Sequence, residues 1–123
     1  YNQGNINLNK SIRVLGAGKD DTVIDADGFN NGFVVDSNLG DNGFVVINGM
    51  TVQNAEQTGI RVSDTANANR LRVRDVLVQN NGYNGLGVYG DSLNKFDVEN
   101  SEFLNNGAAN GSAGDGDILA FLY

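Results

Sequence analysis

Two absences set the chemistry open to this chain. Its 123 residues include no His and no Cys, which removes the commonest general base, the commonest zinc ligand and every thiolate. Acid–base work would fall to carboxylates such as Asp115 and Asp117, a pair of the kind glycoside hydrolysis uses. That pair stands in a Gly-rich turn, where Asp is expected for backbone reasons alone. Asp25-Ala26-Asp27-Gly28 opens like a calcium loop, but its glycine is misplaced and no Glu closes it. The stretch Gly111–Leu119 reads as one imperfect calcium-binding nonapeptide, a site type that works in tandem copies. No cofactor is expected, calcium being the one these segments leave open. Gly16-Ala17-Gly18-Lys19 invites a phosphate-loop reading and fails it, because Asp20 stands where Ser or Thr is required. Asn9-Lys10-Ser11 and Asn110-Gly111-Ser112 are glycosylation sequons, informative only in a eukaryotic secretory setting.

Charge narrows the partners. Eight basic residues face fifteen acidic ones, for a net charge of −7. Nucleic acid and anionic membrane are not expected partners, since phosphate binding relies on clustered Lys and Arg. No apolar run is long enough for a membrane helix. The acid is almost all Asp, 12 against 3 Glu, alongside 20 Asn and 17 Gly. Asn, Asp and Gly tolerate left-handed backbone and tight corners, whereas Glu favours helix. Short strands joined by many sharp turns are implied.

The elements that must position any site emerge from an internal repeat. Gly32-Phe33-Val34-Val35-Asp36 recurs as Gly59-Ile60-Arg61-Val62-Ser63 and Gly85-Leu86-Gly87-Val88-Tyr89, then less cleanly as Asp117-Ile118-Leu119-Ala120-Phe121. The steps are 27, 26 and 32 residues. A second block, Val45 to Asn54, recurs as Leu71 to Asn80 and Phe96 to Asn105, at steps of 26 and 25. Each period holds three strands of alternating pattern, one face inward and one outward. The inward rows are Phe33/Val35, Ile60/Val62, Leu86/Val88 and Ile118/Ala120 on a first sheet. They are Val45/Ile47, Leu71/Val73 and Phe96/Val98 on a second, and Met50/Val52, Val76/Val78 and Ser101/Phe103 on a third. Ile6/Leu8, Ile12/Val14 and Thr22/Ile24 supply an opening coil. Arg61, Arg72, Asp97, Thr51 and Glu102 face outward, with Val34, Val46, Leu77 and Leu119 as apolar exceptions.

Gly49, Asp75 and Asn100 occupy one corner, where a left-handed turn is needed. Asn54, Asn80 and Asn105 stack at another and suit an amide ladder. No proline interrupts any ladder. The sequence therefore predicts an all-β, right-handed parallel β-helix: one segment over 1–123, three sheets, about four coils of 25–27 residues. Arg72 and Arg74 fall one coil from Asp97 and Glu99, which predicts a salt-bridged outer face in preference to a basic binding patch.

The run Ile12-Arg13-Val14-Leu15-Gly16-Ala17-Gly18-Lys19-Asp20-Asp21-Thr22-Val23-Ile24-Asp25 resembles the early coil of the pectate-lyase-like right-handed β-helix superfamily. That superfamily holds polysaccharide lyases, polygalacturonases, alginate epimerases, phage tailspikes and bacterial surface adhesins. The resemblance implies a fold more than a function. In its enzymes an acidic polysaccharide lies along the first sheet, and the matching face here carries Asp36, Arg61 and Tyr89 as candidate carbohydrate-binding residues. An aromatic face stacks on sugar and Arg pairs with carboxylate. Arg61 would be the base of a lyase-type elimination. The chain departs from the catalytic families: it lacks the Asp-Pro-His of the epimerases and the Gly-His-Gly turn of the polygalacturonases. No catalytic residue is assigned, and the chain is read as leaning away from an enzyme.

The expected function is structural or adhesive, in an extracellular or cell-surface protein, with copies of the chain joining end to end through strand edges. The rival expectation is a non-catalytic piece of a polysaccharide lyase, hydrolase or epimerase. Polysaccharide and other copies of the chain are the partners this leaves. The apolar run Ile118 to Tyr123 reads as an interior strand awaiting a neighbour.

Overall fold

The computed structural model describes residues 1–63, 67–89, 93–107 and 116–120, and every regular element among them is a strand. β1 (Ile6–Asn7), β2 (Ile12–Leu15) and β3 (Val23–Asp25) lay down the first coil. β4 (Asn31–Val35) opens the second, and the long β5 (Asn38–Gln53) bends through the next two faces. β6 (Thr58–Val62) and β7 (Asn67–Gln79) repeat that pair one coil on. β8 (Asn84–Val88), β9 (Leu93–Glu99) and β10 (Glu102–Leu104) follow, and β11 (Gly116–Ala120) adds a last rung.

All pairings between these strands are parallel, and the registers match the repeat. On the first sheet, ordered β1-β4-β6-β8-β11, Phe33 pairs Ile60, Ile60 pairs Leu86 and Leu86 pairs Ile118. The second sheet stacks β2, the first half of β5, the first half of β7 and β9, so Val45 pairs Leu71 and Leu71 pairs Phe96. The third stacks β3, the second halves of β5 and β7, and β10. The parallel β-solenoid read from the sequence is the fold. It makes about three turns where about four coils were expected, because four rungs are joined by only three climbs.

Side chains from the three sheets meet inside. Phe33, Ile47, Met50, Ile60, Leu71 and Leu86 are all fully buried. Each such side chain contributes about 1.5–3 kcal/mol relative to an exposed one. The middle coils are the driest. At the two ends, Ile6, Ile12, Val14, Phe96, Val98 and Phe103 are only partly buried, since no further rung covers them.

The corners explain the composition. Gly49, Asp75 and Asn100 all take left-handed backbone, with φ of 73°, 52° and 47°. The Asn100 amide also donates to the Asp75 carboxylate across one rung. Asn54, Asn80 and Asn105 turn the other corner at φ of 62°, 57° and 54°.

Four expectations change. The amide ladder sits one residue beyond those asparagines: Asn81 Nδ2 donates to Asn106 Oδ1 at 2.9 Å, and Asn81 Oδ1 accepts the Ala55 amide at 2.9 Å. A left-handed corner residue uses its backbone to turn, and the next residue carries the ladder. Thr51 faces outward but is buried, because the 16–22 turn of the first coil lies over it and its hydroxyl donates to the Lys19 carbonyl at 2.7 Å. Ile118 is 47% exposed, although it aligns with buried Leu86, because it belongs to an end rung. The third sheet is not left bare at the first coil, since residues 1–3 run alongside β3 and Asn2 pairs Asp25. Leu119 and Ala120 lie in β11 with side chains outside the description, and Phe121 to Tyr123 lie outside the described residues.

Asp25 ties that end together. Its carboxylate accepts the Asn54 side-chain amide at 3.0 Å, the Gln53 amide at 3.4 Å and the Asp27 backbone amide at 3.2 Å. The Asn54 bond first, then the other two, hold its pKa below the ordinary Asp value despite partial desolvation. A depressed folded pKa means the stabilisation is complete above the unfolded value, about 3.9, and is lost as pH falls through the folded one. Thermal melts between pH 6 and pH 2 should show this loss. Asn54→Ala should flatten it, and an unchanged acid limb would refute the assignment.

Candidate functional site

The outer face of the first sheet brings two of its three candidate residues together. Val34, Arg61 and Gly87 occupy one line across β4, β6 and β8. Asp36, Ser63 and Tyr89 occupy the next, and the ladder continues through Ser63 N to the Val35 carbonyl and Tyr89 N to the Val62 carbonyl. Gly87 has no side chain, so the Tyr89 ring folds back along its own strand and lies over it. A Cβ at Gly87 would sit 2.9 Å from Tyr89 Cε2. The phenol oxygen accepts from the buried Asn84 amide at 3.4 Å, and the Arg61 guanidinium stacks over the ring, 4.7 Å from its centroid. Asp36 stands two rungs from Tyr89, about 9.6 Å at the usual strand spacing, and its carboxylate accepts from Ser37 Oγ at 3.3 Å.

This arrangement is a cation laid on an aromatic platform, held at about 0.5–1 kcal/mol where exposed. It offers a small amphipathic surface suited to a sugar ring. It does not assemble a nucleophile, a base and an oxyanion donor around one reacting point, which is what catalysis requires. Among the described residues, no three His, Cys, Asp or Glu side chains converge to hold a metal.

The turn carboxylates divide. Asp115 lies outside the described residues, as does 111–115 of the nonapeptide segment. Asp117 Oδ1 accepts from both the Asn106 backbone amide, at 3.3 Å, and its Nδ2, at 2.9 Å, which ends the amide ladder. The 16–22 turn forms no phosphate cradle: Lys19 reaches instead toward Glu102, at 3.8 Å.

The outer face of the second sheet is more strongly built. Arg13 pairs Val46, Val46 pairs Arg72 and Arg72 pairs Asp97, while Leu15, Asn48, Arg74 and Glu99 form the next line. Phe44, Arg70 and Lys95 form the line before. Asp97 Oδ2 receives Arg70 at 3.0 Å and Arg72 at 3.7 Å, and Arg74 lies 3.5 Å from Glu99. The predicted charge stack is present, with Arg70 as an unforeseen member. Arg13 lies over the Phe44 ring, 5.1 Å from its centroid. Arg13, Arg70, Arg72 and Arg74 together line a groove over Phe44, Val46 and Asn48.

Arg13 and Phe44 are not visible as neighbours in the repeat because the first step is irregular. Ile12 to Val45 spans 33 residues where Val45 to Leu71 spans 26. The extra residues lie in the approach to β5. Only the parity of Arg13 within its strand signals that it faces outward.

Among the described residues no helix is long and apolar enough to cross a membrane. A scan against protein-family models, a search of curated proteins and a search of solved structures each return no match.

Proposed function

We propose that this chain is a structural, adhesive β-helix of the pectate-lyase-like type, serving an extracellular or cell-surface protein and joining copies end to end. The observation that carries the reading is the open first coil. β1 and β2 are edge strands of their sheets, and beneath them Ile6, Val14, Ile24 and Met50 line an apolar cleft. Unpaired edges over an uncovered apolar row invite another strand layer, and in a solenoid each coil is stabilised by the neighbour it stacks on. The opposite end complements it, with Phe96, Val98 and Phe103 also half-covered. Surface location rests on the resemblance of residues 12–25 to coils of secreted and surface proteins.

Sedimentation velocity at rising protein concentration tests the joining, with electron microscopy of the heaviest species. Concentration-dependent rods are expected, and Val14→Lys should abolish them by placing a charge in the contact. A monomer at millimolar concentration, with β1 and β2 amides already protected from hydrogen exchange, would overturn the proposal.

A further inference from the structure

Five of the chain's eight basic residues, Arg13, Arg70, Arg72, Arg74 and Lys95, stand on the outer face of the second sheet, in a chain of net charge −7. The distribution has a shape. β5 lies between β2 and β7, so Phe44, Val46 and Asn48 form a floor. Arg13 and Leu15 rise on one side, and Arg70, Arg72 and Arg74 on the other. The walls are two strand spacings apart, about 9.6 Å, and successive arginines on the longer wall are about 6.6 Å apart. The carboxylates that neutralise that wall, Asp97 and Glu99, belong to β9, on its far side from the floor. Among the described residues, no carboxylate lies within ion-pair distance of Arg13.

We propose that this groove binds a sulfated glycan. The site goes beyond the end-to-end joining and is independent of it, since it uses neither β-helix end. Guanidinium is weakly hydrated and presents five donors in a planar fork. With Asp97 held by Arg70 and Arg72, and Glu99 by Arg74, a carboxylate ligand would compete for the forks already used. A sulfate ester has three free oxygens and can accept from both walls while those pairs stay intact. Phe44, Val46 and Leu15 give the C–H face of a sugar ring an apolar surface between the charges. A nucleic acid fits less well, because it needs basic surface along many successive phosphates, and the rest of this chain is acidic.

The test is calorimetric binding of a heparin-derived hexasaccharide to the full chain, at concentrations where it is monomeric. Chemically desulfated hexasaccharide, a galacturonate hexamer and a single-stranded oligonucleotide serve as comparison ligands. The sulfated hexasaccharide should bind at least about tenfold more tightly than any of these, with an affinity that falls as salt rises. Arg13→Gln, which leaves the Asp97 and Glu99 pairs intact, should weaken it about tenfold, the scale of one charge-assisted hydrogen bond. Arg61→Gln, a cation on the first sheet, should leave it unchanged. Circular dichroism melts confirm that each variant folds. Equal affinity for the desulfated sugar, preference for the oligonucleotide or galacturonate, no measurable binding, or an Arg61→Gln loss equal to that of Arg13→Gln would each overturn the proposal.

Discussion

Val73→Asp is expected to abolish the cooperative thermal melt at room temperature and above. Val73 has no exposed surface and pairs Ile47 on one rung and Val98 on the next. A carboxylate there would lose its water and find no cation, at a cost of several kcal/mol. Total stabilities of single domains are only about 5–15 kcal/mol, and the lost valine packing adds about another 2 kcal/mol. Arg61→Ala, on an outward position of the neighbouring sheet, should cost at most about 1 kcal/mol, the worth of its contact with Tyr89. Circular dichroism melts of both variants check the pair. Equal midpoints would mean that the inward register is wrong.

Gly59→Ala should be nearly as damaging, although it adds a single methyl group. Gly32, Gly59 and Gly85 form a column at the entry to the first sheet, and each backbone presses on the next. A Cβ on Gly32 would stand 2.5 Å from the Gly59 carbonyl oxygen, and one on Gly85 would stand 2.6 Å from that of Asp117. At Gly59 the methyl would meet the Gly85 carbonyl at 2.9 Å, Val78 Cγ1 at 2.8 Å and the Asn81 amide at 2.8 Å. That amide belongs to the buried ladder, so relief on one side breaks hydrogen bonds on the other. A loss of about 2–4 kcal/mol is expected from overpacking plus a disturbed buried polar group. Gly116→Ala, where the added carbon has nothing within 4 Å, should be mild. Denaturant midpoints that fall together for the two variants would argue against a crowded column.

Most of the solenoid is legible in the sequence because the same physics repeats at every coil. Parity alone places Phe33, Ile60 and Leu86 inside, and the left-handed corner at Gly49, Asp75 and Asn100 can be read from residue type. What does not repeat is harder to see. Thr51 reads as a surface residue, since nothing local announces that an elongated 16–22 turn, unique to the first coil, will fold over it. The ladder at Asn81 and Asn106 hides behind the neighbouring asparagines at 80 and 105, which are the same residue in a different role. The candidate site divides likewise. Arg72 and Asp97 can be paired from a 25-residue step, but Arg13 joins their face only after the irregular 33-residue step is bridged.

The regular registers also set what kind of length change the chain can survive. Ladder contacts reach one coil forward and one coil back, at separations near 26 residues in the middle of the chain. Each rung therefore senses its two neighbours and little else. Removing 26 consecutive residues from the middle would join equivalent points of successive coils and restore every inward parity. Removing 25 would turn each following side chain to the opposite face, moving Leu86 and Val88 from the interior to water. The coil acts as a reading frame written in geometry, in which whole-frame duplications and losses change only height and single-residue slips are lethal downstream.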